Sequence, residues 1–170
     1  MVASNWNLTV AGALVTIRPI RATDVDLEAA FIRRLSPQTK RYRFFGGIRE
    51  LSPSQLKNFC EVDGCHSMAF VATVQKEGVE TEIGVARYAP NSKADIREMA
   101  VTISDEWQHT GVGQSLVRQL CASAKAYGVT QVYSIDLAVN TTMRDMAHEL
   151  GMSAKRDPDD SQQVIYSLEL

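Results

Sequence analysis

The sequence predicts a mixed α/β domain of the α+β kind, and three observations carry that prediction. Segments with strand texture alternate with segments of helical periodicity along the 170 residues. Ser67–Gln75 and Thr81–Tyr88 are two strand-like runs joined through Gly78, the pattern of a hairpin. Arg97–Ser104, an amphipathic stretch from Val112 to Tyr127, and Gln131–Val139 form a β–α–β succession, expected to be parallel and right-handed.

The elements follow in order. Trp6–Val10 and Ala13–Ile20 read as strands around an Ala11-Gly12 turn, with Pro19 placing the end of the second near an edge. Thr23-x-x-Asp26 resembles a capping box for a helix whose buried face is Val25, Leu27, Ala30 and Phe31. Leu35–Leu51 reads as irregular. Ser52-Pro53-Ser54-Gln55 opens a second helix with Leu56, Phe59 and Cys60 as its apolar positions. After the hairpin, Pro90–Asp95 leads into the Arg97 strand. The next helix carries Val112, Leu116, Val117, Leu120, Cys121, Ala124 and Tyr127 at helical spacing and stops at Gly128. Asn140 caps Thr141–Leu150, and Met152–Ala154 and Gln163–Leu170 close the chain as strands. About four helices are expected, in one domain spanning residues 1–170.

Composition narrows the function. Hydrophobic residues make up 45% and charged residues 22%, as in an ordinary globular protein. A net charge of −2 and a pI near 5.9 argue against a nucleic-acid or anionic-membrane partner. The apolar run Leu8–Ile17 has no basic segment before it and is closed by Arg18-Pro19. It is neither a signal peptide nor a membrane span, and a cytoplasmic location is expected. Cys60, Cys65 and Cys121 are odd in number and not spaced as a pairing framework, so reduced thiols are expected. Cys60, Cys65 and His66 raise the question of a metal. A four-ligand zinc site would need a partner from far along the chain, so no metal is expected.

The richest stretch runs from Arg97 to Tyr127. A strand ends in a loop carrying Gly111 and Gly113, and the loop runs straight into a helix. The first N–H groups of a helix lack internal partners, and the macrodipole adds partial positive charge there. Glycines let an anion approach the backbone, and a pyrophosphate suits the site. A dinucleotide loop of the Rossmann type would need a small residue where Leu116 stands, although Asp136 has the acidic spacing. A P-loop needs Gly-Lys-Ser/Thr, and Gly113 is followed by Gln114-Ser115. An ordinary strand–turn–helix connection is the remaining alternative on the loop alone.

The wider text decides among these. Gln108-His109-Thr110-Gly111-Val112-Gly113 resembles the Q/R-x-x-G-x-G/A signature of the GNAT superfamily of N-acetyltransferases, and the preceding strand and the element order resemble that family through nearly the whole chain. The resemblance implies the GNAT fold, a mixed and mostly antiparallel central sheet. It implies acetyl-CoA as co-substrate, its pyrophosphate held by Gln108, His109, Thr110, Gly111, Val112, Gly113 and Ser115. It further implies that Val101 and Ile103 pair through main-chain groups with the pantetheine arm. Close relatives often carry Gly-Arg where this chain has His109-Thr110, so the backbone would carry more of the phosphate binding here.

Chemistry points to Glu98. A lysine amine has a pKa of about 10.4 and must lose a proton before it attacks a thioester, and a carboxylate can take that proton. Arg97-Glu98-Met99-Ala100-Val101 resembles the strand of bacterial protein lysine acetyltransferases that carries the general base. Leu137-Ala138-Val139-Asn140-x-x-Met143 resembles their L-x-x-N-x-x-M pattern, which implies cofactor contacts from Asn140 and Met143. Arg41-Tyr42-Arg43-Phe44-Phe45 resembles a segment that borders the acceptor in that group, so Arg43, Phe44 and Phe45 are expected to bind substrate and a protein lysine is the expected acceptor. The helix after Asn140 has no Tyr, so Tyr88, Tyr127, Tyr133 or water is left to protonate the leaving thiolate. Relatives often carry a further regulatory domain, for which the chain is expected to have no room. A homodimer is expected by analogy with the fold. The rival readings are a small-amine acetyltransferase, a non-catalytic acyl-CoA sensor and, third, a Rossmann-type oxidoreductase.

Overall fold

Residues 5–46 and 50–170 are described by a computed structural model. β1 (Trp6–Val10) and β2 (Ala13–Pro19) pair across Ala11 and Gly12, which both hold positive φ, as a two-residue hairpin turn requires. β3 (Met68–Lys76) and β4 (Val79–Pro90) form the second hairpin, with a bulge between Ala72 and Thr73. β5 (Ile96–Ile103) and β6 (Gln131–Leu137) are the expected parallel pair. β7 (Ser153–Arg156) and β8 (Gln163–Glu169) finish the chain. The eight strands join in one sheet of order β1-β2-β3-β4-β5-β6-β8-β7, antiparallel everywhere except β5–β6.

Both faces of the sheet are covered. α4 (Val112–Ala126) and α5 (Thr141–Glu149) pack on one core with Ile17, Phe70, Tyr88 and Val132. α1 (Val25–Arg34) and α3 (Pro53–Cys60) pack on the other with Ile20, Ala69, Val71 and Val85. β3 shows the alternation directly: Phe70 enters the first core, Ala69 and Val71 the second, and all three are fully buried. Burial on both faces explains why β3 reads as a continuous apolar run.

Three local expectations change. The stretch read as irregular contains α2 (Pro37–Phe44), so the described residues hold five α-helices. Ser36 caps α2 by accepting the Thr39 N–H at 3.2 Å, Pro37 opens its first turn, and Phe45 closes it in the left-handed region with φ 56°. The helix has no apolar stripe, so periodicity could not reveal it; its caps hold it, a Ser cap being worth about 1 kcal/mol. Residues 47–49, read as part of the same irregular stretch, lie outside the described residues. The capping box expected at Thr23 and Asp26 is replaced by Asp24, whose carboxylate accepts the Arg21 N–H at 2.7 Å. Asp24 is already fixed by Arg18, which donates to both its oxygens at 2.7 and 2.9 Å. The third change separates the cysteines. Cys60 is buried in the second core, whereas Cys65 and His66 sit with Asp63 on a loop before β3.

Charge is buried beneath α1. Arg87 donates to Glu28 at 3.0 Å and lies 4.2 Å from the Phe59 ring. Glu28 and Glu82 are each 1% exposed. Burial first, then the neighbouring Glu28 carboxylate, pushes the Glu82 carboxyl well up. Glu28 is pushed up by burial, against the pull of Arg87. Neither oxygen of Glu82 finds a donor from another residue. A proton on Glu82, donated to Glu28, satisfies both groups. The folded pair therefore keeps a proton that the unfolded chain releases in the ordinary carboxylate range, and stability falls as pH rises above that range. Glu82→Gln supplies the donor without the proton. Its stability relative to wild type should increase from about pH 5 to about pH 8, as read from urea midpoints; a difference that does not change with pH would remove the shared proton.

Candidate active site

β5 and β6 pair for only three residues, Ile96↔Gln131, Arg97↔Val132 and Glu98↔Tyr133. Beyond that point they separate. β5 stays bound to β4 on its other edge, and β6 to β8. The gap is a cleft of about 400 Å³ between residues 99–103 of β5 and residues 134–136 of β6. Because β6 has moved away, the β5 main chain facing the gap has N–H and C=O groups without a strand partner.

One end of the cleft is the glycine loop. A short 3-10 turn, Asp105–Trp107, follows β5, and the chain then passes through His109 and Gly111 at φ 60° and 91°. Gly111 is the N-cap of α4 and offers no side chain to the first helical N–H groups. Those of Val112, Gly113 and Gln114 have no intrahelical acceptor. An added Cβ at Gly113 would come within 2.8 Å of the Met146 Sδ atom, which shows how closely the start of α4 sits against α5. The loop is braced from within. Gln108 Nε2 donates to the Ile103 carbonyl at 3.2 Å and to Thr39 Oγ1 at 3.3 Å, and Thr110 Oγ1 donates to the Trp107 carbonyl at 2.6 Å. Asp105 ties the loop to α2, accepting from Ser36 Oγ at 2.6 Å and Thr39 Oγ1 at 2.7 Å.

Glu98 stands at the fork, exposed and lining the cleft. Tyr133 Oη donates to its Oε2 at 3.3 Å and itself accepts from Asn91 Nδ2 at 2.8 Å. Burial and then the Glu98 charge raise the Tyr133 phenol. Across the gap Asp136 accepts from Ser134 Oγ at 2.5 Å, and burial pushes its carboxyl up despite Arg43 nearby. Burial, with Arg87 close by, brings Arg43 down to about 10, so it remains a cation at neutral pH. Its guanidinium lies 5.1 Å from the Phe44 ring and 5.7 Å from the Phe59 ring. α2 closes the cleft from above: Tyr42 Oη donates to the Val139 carbonyl at 3.3 Å.

Most of the residues singled out by sequence converge here. Glu98, Val101, Ile103, Gln108, His109, Gly111, Gly113, Asn140, Met143, Arg43 and Phe45 all line the cleft. Asn140 also caps α5, accepting the Met143 N–H at 3.1 Å. Four residues lie elsewhere. The Val112 side chain is fully buried in the first core, Phe44 packs on the second, and Thr110 and Ser115 face an adjoining cavity. Of the three tyrosines weighed as proton donors, Tyr88 is buried and donates to the Cys65 carbonyl at 3.1 Å, and Tyr127 is the C-cap of α4. Tyr133 is the one that meets Glu98. Asp136, Trp107, Thr39 and Tyr42 also join the lining, Tyr42 from within the Arg41–Phe45 segment and none of the four singled out as a site residue by sequence. Gly111→Ala places a side chain at φ 91°, which costs about 1–2 kcal/mol. A fall in melting temperature, read from a thermal unfolding scan, is the expected result.

Comparison with known proteins agrees with this geometry. Residues 37–152 match the model of the acetyltransferase (GNAT) family. The chain is 45% identical over 159 residues to "Acetyltransferase PA5475" of Pseudomonas aeruginosa, covering 94% of this chain and 86% of that protein. It is 29% identical to "Acetyltransferase Pat" of Mycolicibacterium smegmatis over 79% of this chain but only 40% of that longer protein. The GNAT domain of S. lividans PAT superposes with a TM-score of 0.88 at 24% identity, over 98% of this chain and 97% of that one, a likeness of fold. A cAMP-binding acyltransferase from Mycobacterium smegmatis gives a TM-score of 0.65 at 25% identity, and the match covers 47% of it. The chain belongs to the GNAT family of acetyltransferases.

Proposed function

We propose that this protein transfers an acetyl group from acetyl-CoA directly to an amine, with a protein lysine as the acceptor and Glu98 as general base. The observation that carries the proposal is the fork itself: an unpaired β5 edge beside α4's free N–H groups, with a carboxylate where the strands part. The β5 main chain from 99 to 103 suits the amides of a pantetheine arm, which would add to the sheet like a strand. The N–H groups at the start of α4 suit its pyrophosphate. With the thioester so placed, Glu98 takes a proton from the acceptor ammonium. The neutral amine attacks the thioester carbonyl, the C–S bond breaks, and the second proton leaving the amine nitrogen passes through solvent to the departing thiolate. The Tyr133 hydrogen bond orients the Glu98 carboxylate during proton uptake.

Exposed Phe45 and Val139 flank half-buried Tyr42 at the mouth, an apolar rim that suits a polypeptide around the reacting lysine. A second reading, a small cationic amine, draws on Glu98, Asp136, Asp145 and Glu149 in the lining. Coenzyme A release separates them when lysine-bearing proteins are tested beside a small-amine panel. Release with the protein acceptor, and a Glu98→Gln variant slower by about 10²–10⁴-fold with unchanged coenzyme A affinity, is the expected outcome. Release with small amines alone would overturn the lysine acceptor. No release with any acceptor, despite coenzyme A binding, would point to a sensor. Tyr133→Phe should slow turnover by about fivefold, the value of one hydrogen bond, without changing coenzyme A affinity in calorimetry.

A further inference from the structure

On the outer side of Gly111 a second cavity of about 380 Å³ adjoins the cleft, and the two share Gly111, Gln114 and Glu149. One wall is Leu8–Val10 of β1. The other is a stripe of α4 formed by Gly111, Gln114, Ser115 and Arg118. Their spacing of i, i+3, i+4 and i+7 puts them on one helical face. Arg118 is the only Lys or Arg in this lining. It is exposed, and no hydrogen bond or ion pair engages its guanidinium among the described residues. Glu149, the acid of the cavity, is engaged by Gln114 Nε2.

The glycine loop itself carries no Arg or Lys, since His109 and Thr110 occupy its middle. Coenzyme A has a second anionic centre beyond its pyrophosphate, the 3′-phosphate of the ribose, a phosphomonoester close to doubly charged at neutral pH. With the pyrophosphate on the first N–H groups of α4, the nucleotide end leaves the cleft past Gly111 and Gln114. Arg118 stands about 10 Å further along the same helix. Half-buried Leu8 gives the opposite wall an apolar surface on which a base can rest.

We infer that Arg118 holds the ribose 3′-phosphate of coenzyme A in the cavity between β1 and α4, and so makes the chain selective for coenzyme A over its 3′-dephospho form. The inference rests on the acetyl-CoA reading above. Arg118 is a positioning residue here, remote from the thioester, so its removal changes affinity and leaves the chemical step intact.

Calorimetric titration of wild type and Arg118→Gln with coenzyme A and with 3′-dephospho-coenzyme A tests it. Gln and Arg have similar helix propensities, so an exposed position on α4 tolerates the exchange. Wild type should bind coenzyme A five to ten times more tightly than the dephospho form. Arg118→Gln should lose that factor for coenzyme A and bind the dephospho form unchanged, the loss being largest at low salt. Equal weakening of both ligands, or no weakening of either, would overturn the assignment. A wild type that binds neither ligand would instead overturn the acetyl-CoA reading on which it stands.

Discussion

The parting of β5 from β6 is the constraint on which the site depends. It persists because each strand is committed on its far edge, β5 to β4 over seven residue pairs and β6 to β8 over seven. Neither can swing across without breaking a ladder. Two glycines then let the surroundings close on the fork. An added Cβ at Gly84 of β4 would come within 2.6 Å of the Ile103 Cδ1 atom and 3.2 Å of a Leu116 methyl, and one at Gly113 would crowd Ile103 and Met146. Without side chains at these two places, the end of β5 and the start of α4 pack tightly around the gap. The N-terminal end of the helix, with its free N–H groups, is thereby set directly at the mouth of the split.

Two clusters of buried charge elsewhere are balanced by a partner or by a shared proton. Arg18 is 2% exposed and is matched by Asp24 and Glu80. Burial alone would raise Asp24, but hydrogen bonds from Arg18 and the Arg21 backbone bring it below the ordinary carboxylate value. Losing one member of such a pair costs about 3–5 kcal/mol. The Arg87–Glu28–Glu82 group meets the same requirement by keeping a proton. Phe59 lies against both Arg87 and Arg43, so the buried group and the wall of the cleft share one aromatic ring.

Much of this was legible in the sequence because it is written in local pattern. The glycine loop, the β–α–β unit, the second hairpin, the Ser52–Gln55 capping box and the Asn140 cap are short-range signals, and all five are present. What escaped depends on distant pairing. α2 has no apolar stripe and is fixed by Ser36, Pro37 and Asp105. Tyr133 meets Glu98 only through strand register. Asp136 matched only the acidic spacing of a different loop type and becomes part of the cleft because β6 turns that face toward the gap. Phe44 and Phe45 are indistinguishable in sequence. The left-handed turn at Phe45 separates them, sending Phe44 to the core and Phe45 to the cleft.

The tie between α2 and the glycine loop has a thermodynamic consequence. Asp105 and Gln108 belong to the loop, Ser36 and Thr39 to the first turn of α2, and four hydrogen bonds join them. The two walls of the cleft thus share one set of bonds. Any free energy that a guest of the loop spends in shifting this set is felt in equal amount by a guest under α2, because coupling between two sites is reciprocal. Whichever of the two arrives first, the second finds its affinity changed by the same factor.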